Sequence, residues 1–153
     1  MDLSINIKVM KIPKIAGGDP HLPQYATGGA AGMDLAACLG SPQVIAPGSR
    51  VKIPTGIAIE MPHKYIVGLV FPRSGLATKH GISLANAVGV IDSDYKGEII
   101  VPVTNQGEKE YVIKPGERIA QLVFVPVFKA TIVETNELKE TDRGTGGFGS
   151  TGK

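Results

Sequence analysis

The chain has 153 residues, of which 42% are hydrophobic, and a formal net charge of +2 at pH 7. This length is typical of one domain, and the charge is too near balance to indicate a nucleic-acid or membrane-binding surface. No apolar run reaches the roughly 18 residues of a membrane span, and a single cysteine, Cys38, excludes an intramolecular disulfide and a cysteine cluster for zinc. The first residues lack the layout of a secretory signal, so we expect a cytoplasmic protein.

Short segments of alternating polar and apolar residues, typical of β-strands, recur along the chain. In chain order they lie at residues 3–9, 35–39, 51–53, 57–61, 65–71, 98–103, 111–113 and 119–127. Turn-forming residues separate some of them, at 46–49, 105–107 and 114–117. One short helix is predicted at 74–79, and Cys38 is expected to be buried in the strand 35–39. Such regularly spaced short strands indicate an all-β sandwich, barrel or jelly-roll-like fold.

The last stretch, residues 140–153, differs in composition from the rest of the chain. It is rich in glycine from Gly144 onward and also carries Arg143, Phe148 and two neighbouring hydroxyl residues. Such a segment cannot pack a core of its own, which predicts a β domain of residues 1–139 followed by a flexible arm. A flexible terminus is the simplest interpretation of the arm. An arginine and an aromatic ring are nevertheless costly choices for a pure spacer.

Two segments in the first half of the chain carry polar or charged residues that a purely structural role explains poorly. Small residues at 28–32 allow close approach of the backbone and precede Asp34, which could bind a ligand or satisfy the amides of a turn. Arg73 and Ser74 stand where a strand ends and the predicted helix begins. The guanidinium, the hydroxyl and the free amides could form an anion cradle. The alternative is an N-cap serine beside a surface arginine.

Two further segments lie in the second half. Gly89 and Gly97 bracket an acidic loop that could bend as a hairpin, and an Asp-rich turn is the simpler interpretation of its residues. A Pro-Gly turn then leads into the strand that contains Arg118 and Gln121. For Arg118 a structural ion pair is the preferred interpretation.

These four segments and the arm resemble the five ordered motifs of the dUTPase family, the deoxyuridine triphosphate nucleotidohydrolases. In order, they read AGMDLAA, PRSGLA, GVIDSDYKGEI, PGERIAQL and RGTGGFGST, from about residue 31 to residue 151. Their order and spacing match those of the family. One departure is Ala87, which follows Asn86 where many members have a glycine, so the local backbone is expected to differ slightly there.

The resemblance implies hydrolysis of dUTP to dUMP and pyrophosphate by attack of water on the α-phosphate, which limits uracil in DNA and supplies dUMP for dTMP synthesis. Asp92 would hold and deprotonate the water, and Asp34 would contact Mg²⁺ through water. The implied substrate-binding residues are Arg73, Ser74, Gly75, Asn86, Val90, Tyr95, Ile99, Gln121, Arg143, Phe148, Gly149, Ser150 and Thr151.

Within that set, the resemblance assigns different parts of the nucleotide to different residues. The triphosphate's charge would be shared by the cation and the polar side chains of Arg73, Ser74, Gln121 and Arg143, with the hydroxyl residues of the arm at its β/γ end. Asn86 and the backbone running to about Ile99 would hydrogen-bond uracil. Tyr95 would lie against the deoxyribose, and Phe148 would stack over the base.

The family also implies an assembly, since its members are usually homotrimers of jelly-roll-like, or β-clip, subunits with active sites built from more than one chain. Fifteen extended residues span roughly 50 Å, so the arm could serve its own site or a neighbour's. No nucleic-acid or membrane partner is expected. Two alternatives share the fold: a deoxycytidine triphosphate deaminase and a non-catalytic trimeric β module.

Overall fold

The computed structural model describes residues 4–12 and 17–148. Each of the eight alternating segments overlaps a strand, and four further strands, at residues 24–25, 43–45, 82–84 and 89–91, were not predicted. In chain order the elements are β1 (Lys8–Lys11), β2 (Gln24–Tyr25), β3 (Met33–Ala36), β4 (Gln43–Ile45), β5 (Arg50–Pro54), β6 (Ile57–Glu60), β7 (Ile66–Pro72), α1 (Ser74–His80), β8 (Ile82–Leu84), β9 (Gly89–Ile91), β10 (Ile100–Asn105), β11 (Tyr111–Ile113) and β12 (Arg118–Pro126). The described part of the chain is therefore all-β with one short helix, as predicted.

The strands form one five-stranded sheet and three smaller ones. The large sheet has the order β2-β3-β12-β7-β9, and a three-stranded sheet has the order β5-β10-β8. The pairs β1-β6 and β11-β4 complete the described sheets. All of these pairings are antiparallel. Strands that follow one another in sequence repeatedly enter different sheets, which is what folds the chain into packed layers.

The core lies between these sheets and is built from the inward-facing residues of each strand. On β10, Val101 and Val103 are completely buried, whereas the side chain of the neighbouring Ile100 is 45% exposed. Burying a side chain of this size contributes about 1.5–3 kcal/mol. The period-two pattern read from the sequence therefore reports the core-facing side of the strands correctly.

Some predicted boundaries were wrong. The strand expected at 35–39 ends at Ala36, so Cys38 lies beyond it, although it is buried as expected and its amide donates to Pro54 O. Asn105, expected in a turn, is the buried last residue of β10, where its side-chain amide group binds two backbone carbonyls. The side chain supplies hydrogen bonds that a turn would otherwise leave unmade.

The helix begins at Ser74 as predicted and ends at His80, where Gly81 adopts a left-handed conformation with φ of 69°. Its N-cap is Arg73, which makes no side-chain capping bond. The N-cap role considered for Ser74 is therefore wrong, because Ser74 is the first residue inside the helix.

The hairpin considered for residues 89–97 is also wrong. The chain does turn after β9, with the amide of Tyr95 donating to Asp92 O. The returning limb is not a strand, and β10 pairs with β5 and β8 rather than with β9. The segment is a strand followed by a loop.

Candidate active site

A polar cleft lies where β3, β12 and β7 run side by side and α1 begins. Asp34 on β3 is directly opposite Gln121 on β12, and Gln121 is in turn opposite Phe71 on β7. The chain then leaves β7 and enters the helix. The resulting cavity of about 500 Å³ gathers five of the predicted site residues: Asp34, Arg73, Ser74, Gly75 and Gln121. Its size falls in the ordinary range of small-molecule sites.

Small residues form another wall of this cleft. They are Ala26, Ala30, Ala31 and Gly32. A Cβ atom on Gly32 would lie 2.7 Å from Gln121 Oε1, so the backbone and the Gln121 side chain are in close contact at this point. Gln121 Nε2 donates to Pro72 O at 3.1 Å. The small-residue segment therefore packs against a cleft side chain, a contact that the sequence did not reveal.

Asp34 is held between two arginines. Its Oδ1 pairs with Arg73 Nε at 3.2 Å and its Oδ2 with Arg118 Nη1 at 3.0 Å. The side chains of Asp34, Arg73 and Arg118 are 17%, 31% and 55% exposed, so the pair with Arg73 is the better shielded one. One carboxylate between two guanidiniums leaves the trio with a net positive charge. The turn role considered for Asp34 is wrong, since it lies within a strand.

Arg118 also belongs to this charged site, although its position in the sequence indicated only a structural role. It does form an ion pair, as interpreted, but its partner is Asp34. Together with Asp34, Arg118 also lines a second cavity of about 440 Å³, whose other walls include His21, Gln24 and Tyr25. Its backbone oxygen accepts from Arg73 Nη1 at 3.1 Å. Arg118 thus contacts both charged neighbours in the trio.

A β-bulge in β12 aims Arg118 at the cleft. Gln121 lies opposite Asp34 and Arg118 lies opposite Ala36, so β12 uses three residue steps where β3 uses two. The register shifts at Ile119. Residues three apart on an unbroken strand point to opposite faces of a sheet. The extra residue places Arg118 on the same face as Gln121 and Asp34, a typical effect of bulges near functional sites.

The turn before β12 fixes where Arg118 starts. Glu117 receives the Tyr111 hydroxyl on Oε1 and the amide of Lys114 on Oε2, and Gly116 adopts a φ of 76°. Burial, followed by the bond to Glu117, raises the pKa of Tyr111 to about 12. Glu117 therefore ties the turn to β11, the strand that precedes it.

A second group of predicted residues lies around β9. Val90 on β9 is 61% exposed and Tyr95 is 45% exposed. The Tyr95 hydroxyl donates to Glu98 O at 2.9 Å, and its oxygen would lie 2.5 Å from a Cβ on Gly97, so a side chain at position 97 would require the Tyr95 ring to move. Asp92 is exposed, and its carboxylate has no hydrogen bond or ion pair within the described residues. These residues present polar and apolar groups outward.

Asn86 precedes a strained residue. The amide of Val88 donates to Asn86 O at 2.7 Å, which closes a three-residue turn around Ala87. Ala87 has a φ of 62°, a conformation that disfavours any residue with a Cβ atom. The departure noted at this position in the sequence thus falls where the backbone favours glycine.

Ile99 occupies a different environment from the other predicted binding residues. Its side chain is 1% exposed, its amide donates to Ile57 O, and its carbonyl accepts from the amide and the hydroxyl of Thr55. Its role in substrate binding remains a prediction.

The two groups are far apart within one chain. β9 is three strands away from β3 in the sheet, and Asp92 follows Ile91, whose partner Gly68 is three residues before Phe71. With about 4.8 Å between strands and about 3.3 Å per residue, the Cα atoms of Asp34 and Asp92 are roughly 15–20 Å apart. The sequence had placed both carboxylates around one ligand.

The C-terminal segment that follows β12 is exposed along most of its described length. Residues 128–145 are all exposed, an exposed run that begins before the predicted arm at residue 140. Arg143 Nε donates to Gly146 O, within the arm, and Phe148 is fully exposed. The predicted site residues Gly149, Ser150 and Thr151 lie outside the described residues. Arg143 and Phe148 are thus not brought to the cleft of their own chain.

Within the described residues, no group of three or more histidine, cysteine or acidic side chains could hold a metal ion. No helix in residues 4–12 and 17–148 is long and apolar enough to cross a membrane.

The fold and the cleft define an all-β protein whose polar site combines a carboxylate with an excess of positive charge suited to an anionic ligand. The chain belongs to the dUTPase family, whose family model matches residues 19–152. It is 57% identical to the deoxyuridine 5'-triphosphate nucleotidohydrolase of Desulfitobacterium hafniense over 97% of both chains. It is 48% identical to the protein of that name from Klebsiella pneumoniae, again over 97% of both.

Solved structures agree with this assignment. The dUTPase of Staphylococcus bacteriophage 80alpha, solved with dUPNHPP, matches with a TM-score of 0.84 and 27% identity over 97% of this chain and 99% of that one. A mutant dUTPase from phage phi11 of S. aureus, which coordinates a structural Mg(II) ion, shares the fold with a TM-score of 0.75 at 22% identity, over 88% and 99% of the chains. The predicted jelly-roll-like fold and the family resemblance are confirmed. The deaminase and the non-catalytic module gain no support.

Proposed function

We propose that this chain hydrolyses dUTP to dUMP and pyrophosphate, and so limits uracil in DNA and supplies dUMP for dTMP synthesis in the cytoplasm. The observation that carries the proposal is the cleft that joins Asp34, Arg73, Ser74 and Gln121 in a chain so similar to named dUTP nucleotidohydrolases. The polar groups of this cleft match the needs of a triphosphate.

The triphosphate binds in the cleft through charge and hydrogen bonds. Arg73 uses Nε and Nη1 for protein oxygens and has Nη2 available for a phosphate oxygen. The exposed hydroxyl of Ser74 and the amide of Gln121 supply neutral donors, and Gly75 leaves open space beside them. The net positive charge of the Asp34–arginine trio favours an anion over a neutral ligand.

The donor set of the cleft fits magnesium held mainly by the substrate. A lone carboxylate, with no ligand cluster elsewhere among the described residues, suits a cation that keeps several waters and binds phosphate oxygens. Asp34 has both oxygens paired with arginines, but a carboxylate has about four acceptor positions, so a metal-bound water can still donate to it. Bound Mg²⁺ supplies charge neutralisation at the phosphate oxygens.

Asp92 acts as the general base. Its exposed carboxylate, without a protein partner among the described residues, accepts a proton from a water molecule. The oxygen of that water forms a bond to the α-phosphorus, and the bond from this phosphorus to the bridging oxygen of the β-phosphate breaks. Pyrophosphate leaves with the electron pair, and dUMP remains.

Base and sugar selection falls to the residues around β9. Asn86 and the neighbouring backbone, held in place by the turn at Ala87, hydrogen-bond the uracil edge. Cytosine would leave these polar groups unpaired, which costs more than a lost contact. The ring of Tyr95, fixed by its bond to Glu98 O, lies against the deoxyribose. Val90 joins this set from the exposed surface of β9, and Ile99 joins it at the buried end of the loop that follows β9.

The site is completed between chains in a homotrimer. A separation of roughly 15–20 Å between Asp34 and Asp92 is too large for one nucleotide's α-phosphate to reach both within a subunit. A neighbouring subunit that places its β9 loop over the cleft brings the two carboxylates together. The arm, residues 140–153, closes over the nucleotide, with Phe148 on the base and Arg143, Gly149, Ser150 and Thr151 at the phosphates.

Pyrophosphate release from dUTP with magnesium tests the activity. We expect steady turnover by the unaltered protein and a loss of at least about a hundredfold in kcat for Asp92→Asn, with binding of dUPNHPP retained. Asp94→Asn, two residues away in the same loop, is the matched control and should keep its turnover. Normal turnover by Asp92→Asn would remove Asp92 from the proposed role.

Mixing two inactive variants tests the shared site. Asp34→Asn and Asp92→Asn chains are unfolded together, refolded at equal concentration and assayed. In the mixture, half of the clefts keep Asp34 and half of the β9 loops keep Asp92. If each site draws its two carboxylates from different chains, roughly a quarter of the sites then contain both carboxylates and regain activity. If one chain supplies both carboxylates, the mixture stays as inactive as its parts.

A further inference from the structure

Arg118 reaches Asp34 only because β12 is irregular. The bulge at Ile119 turns Arg118 toward the face that carries Asp34 and Gln121, while Ile119 itself is 2% exposed and stays in the core. The turn that precedes Arg118 is fixed through Glu117 and Tyr111. The anchored backbone at the start of β12 therefore directs the Arg118 side chain toward the carboxylate of Asp34.

The contacts of Arg118 divide between its side chain and its backbone. The guanidinium of Arg118 donates to Asp34 Oδ2 at 3.0 Å, and the backbone oxygen of Arg118 accepts from Arg73 Nη1 at 3.1 Å. Arg73 in turn forms an ion pair with Asp34 through Oδ1. The three residues form a closed ring of contacts in which the rotation of the Asp34 carboxylate is restrained at both oxygens.

That restraint selects which acceptor positions remain free. An Asp34 bound by Arg73 alone could turn its second oxygen away from the cleft or use both oxygens on a cation directly. With both oxygens paired, the remaining positions point in fixed directions and suit a water that is already bound to a cation. A direct bond from the cation to Asp34 is disfavoured beside two guanidiniums.

We propose that Arg118 is a positioning residue that acts through Asp34. It fixes the carboxylate for water-mediated contact with the magnesium–triphosphate complex and, through its backbone oxygen, orients Arg73. This inference rests on the proposed function. The inference predicts how much magnesium strengthens nucleotide binding, and this quantity can be measured without hydrolysis.

The affinity for dUPNHPP is measured by calorimetry, first in EDTA and then in saturating magnesium. The ratio of the two affinities is the coupling between magnesium and the nucleotide. In the unaltered protein we expect magnesium to tighten binding. Arg118→Met keeps most of the side-chain length but removes the charge. It should reduce this magnesium-dependent gain about fivefold or more, as expected for a partly exposed charge-assisted contact.

The same measurement in an Asp34→Asn background separates positioning from simple charge. If Arg118 acts through Asp34, Arg118→Met no longer changes the magnesium-dependent gain once the carboxylate is absent. If Arg118 only adds positive charge to the cleft, Arg118→Met weakens binding equally with and without magnesium in both backgrounds. That result would overturn the proposal.

Two further variants keep the test decisive. Arg118→Lys restores a cation that can still reach Asp34 Oδ2 and should recover part of the coupling, which also covers the case in which the methionine variant does not fold. Lys8→Met removes an exposed ion pair with Glu60 on another sheet and should leave the coupling unchanged. A normal gain in both Arg118 variants would refute the inference while leaving the proposed function intact. Absence of any gain in the unaltered protein would refute both.

Discussion

Replacing Gly32 by alanine is expected to disturb the cleft through Gln121. The added Cβ atom would lie 2.7 Å from Gln121 Oε1, 3.2 Å from its Cβ and 3.4 Å from its Cδ. Since carbon contacts are comfortable at about 3.5–4.0 Å, the amide must move by roughly 1 Å. A shift of that size is enough to break the hydrogen bond from Gln121 Nε2 to Pro72 O, which is 3.1 Å long.

The size of the effect follows from the two contacts that Gln121 would lose. The bond to Pro72 O contributes about 1 kcal/mol to stability, which predicts a decrease of a few degrees in the melting temperature. A donor to a charged phosphate contributes about 1.5–3 kcal/mol, so we expect kcat/KM for dUTP to fall about tenfold or more. Pyrophosphate release at varied dUTP and thermal unfolding measure the two quantities.

Gly29→Ala is the matched control, because it lies in the same segment and its added Cβ atom would meet nothing within 4 Å. A second control combines Gly32→Ala with Gln121→Ala. If the methyl group acts by displacing Gln121, the double variant is no worse than Gln121→Ala alone. Equal kcat/KM values for Gly32→Ala and Gly29→Ala would refute this reasoning.

Two further predictions concern buried polar groups. Asn105→Ala removes a side chain that binds three buried or partly buried backbone groups, and it should lower the free energy of unfolding by about 3 kcal/mol or more. The control is Thr104→Val at the neighbouring position, which removes a single side-chain hydrogen bond and should lower the free energy of unfolding by about 1 kcal/mol. Similar denaturation midpoints for the two variants would contradict this account. The pKa of Tyr111 is raised to about 12, so the neutral phenol is the form that the fold favours. The stability that it contributes is complete below the unfolded value of about 10 and is lost as the pH rises through 12. An ultraviolet titration should show this late tyrosinate step, which Tyr111→Phe removes; an unchanged titration of that variant would be contrary to the assignment.

The strands and the helix could be predicted from the sequence because they depend on residues that are close together in the chain. The alternation around Val101 and Val103 reports which side of a strand faces the core, and the helix from Ser74 follows from the residues that flank it. Asn105 was misplaced, since an Asn-Gln-Gly sequence is typical of turns and nothing in it reveals the carbonyls that its side chain would meet.

Features that depend on strand pairing could not be read in this way. Whether Arg118 faces Asp34 depends on a register shift at Ile119, which is defined only relative to the partner strand. The motifs placed Asp34 and Asp92 around one ligand, but the strand order of the sheet separates them within a chain. The sequence could name the residues of the site without giving their distances.

The left-handed conformation of Ala87 has a consequence for how this protein can be altered. A glycine there relieves about 1–2 kcal/mol of steric cost, but it also gives the unfolded chain more freedom, which offsets much of that gain. The free energy of unfolding should therefore rise by no more than about 1 kcal/mol, while the turn beside Asn86 becomes more flexible. Position 87 offers a way to adjust the stiffness of the base-recognition edge almost independently of how firmly the rest of the subunit is folded.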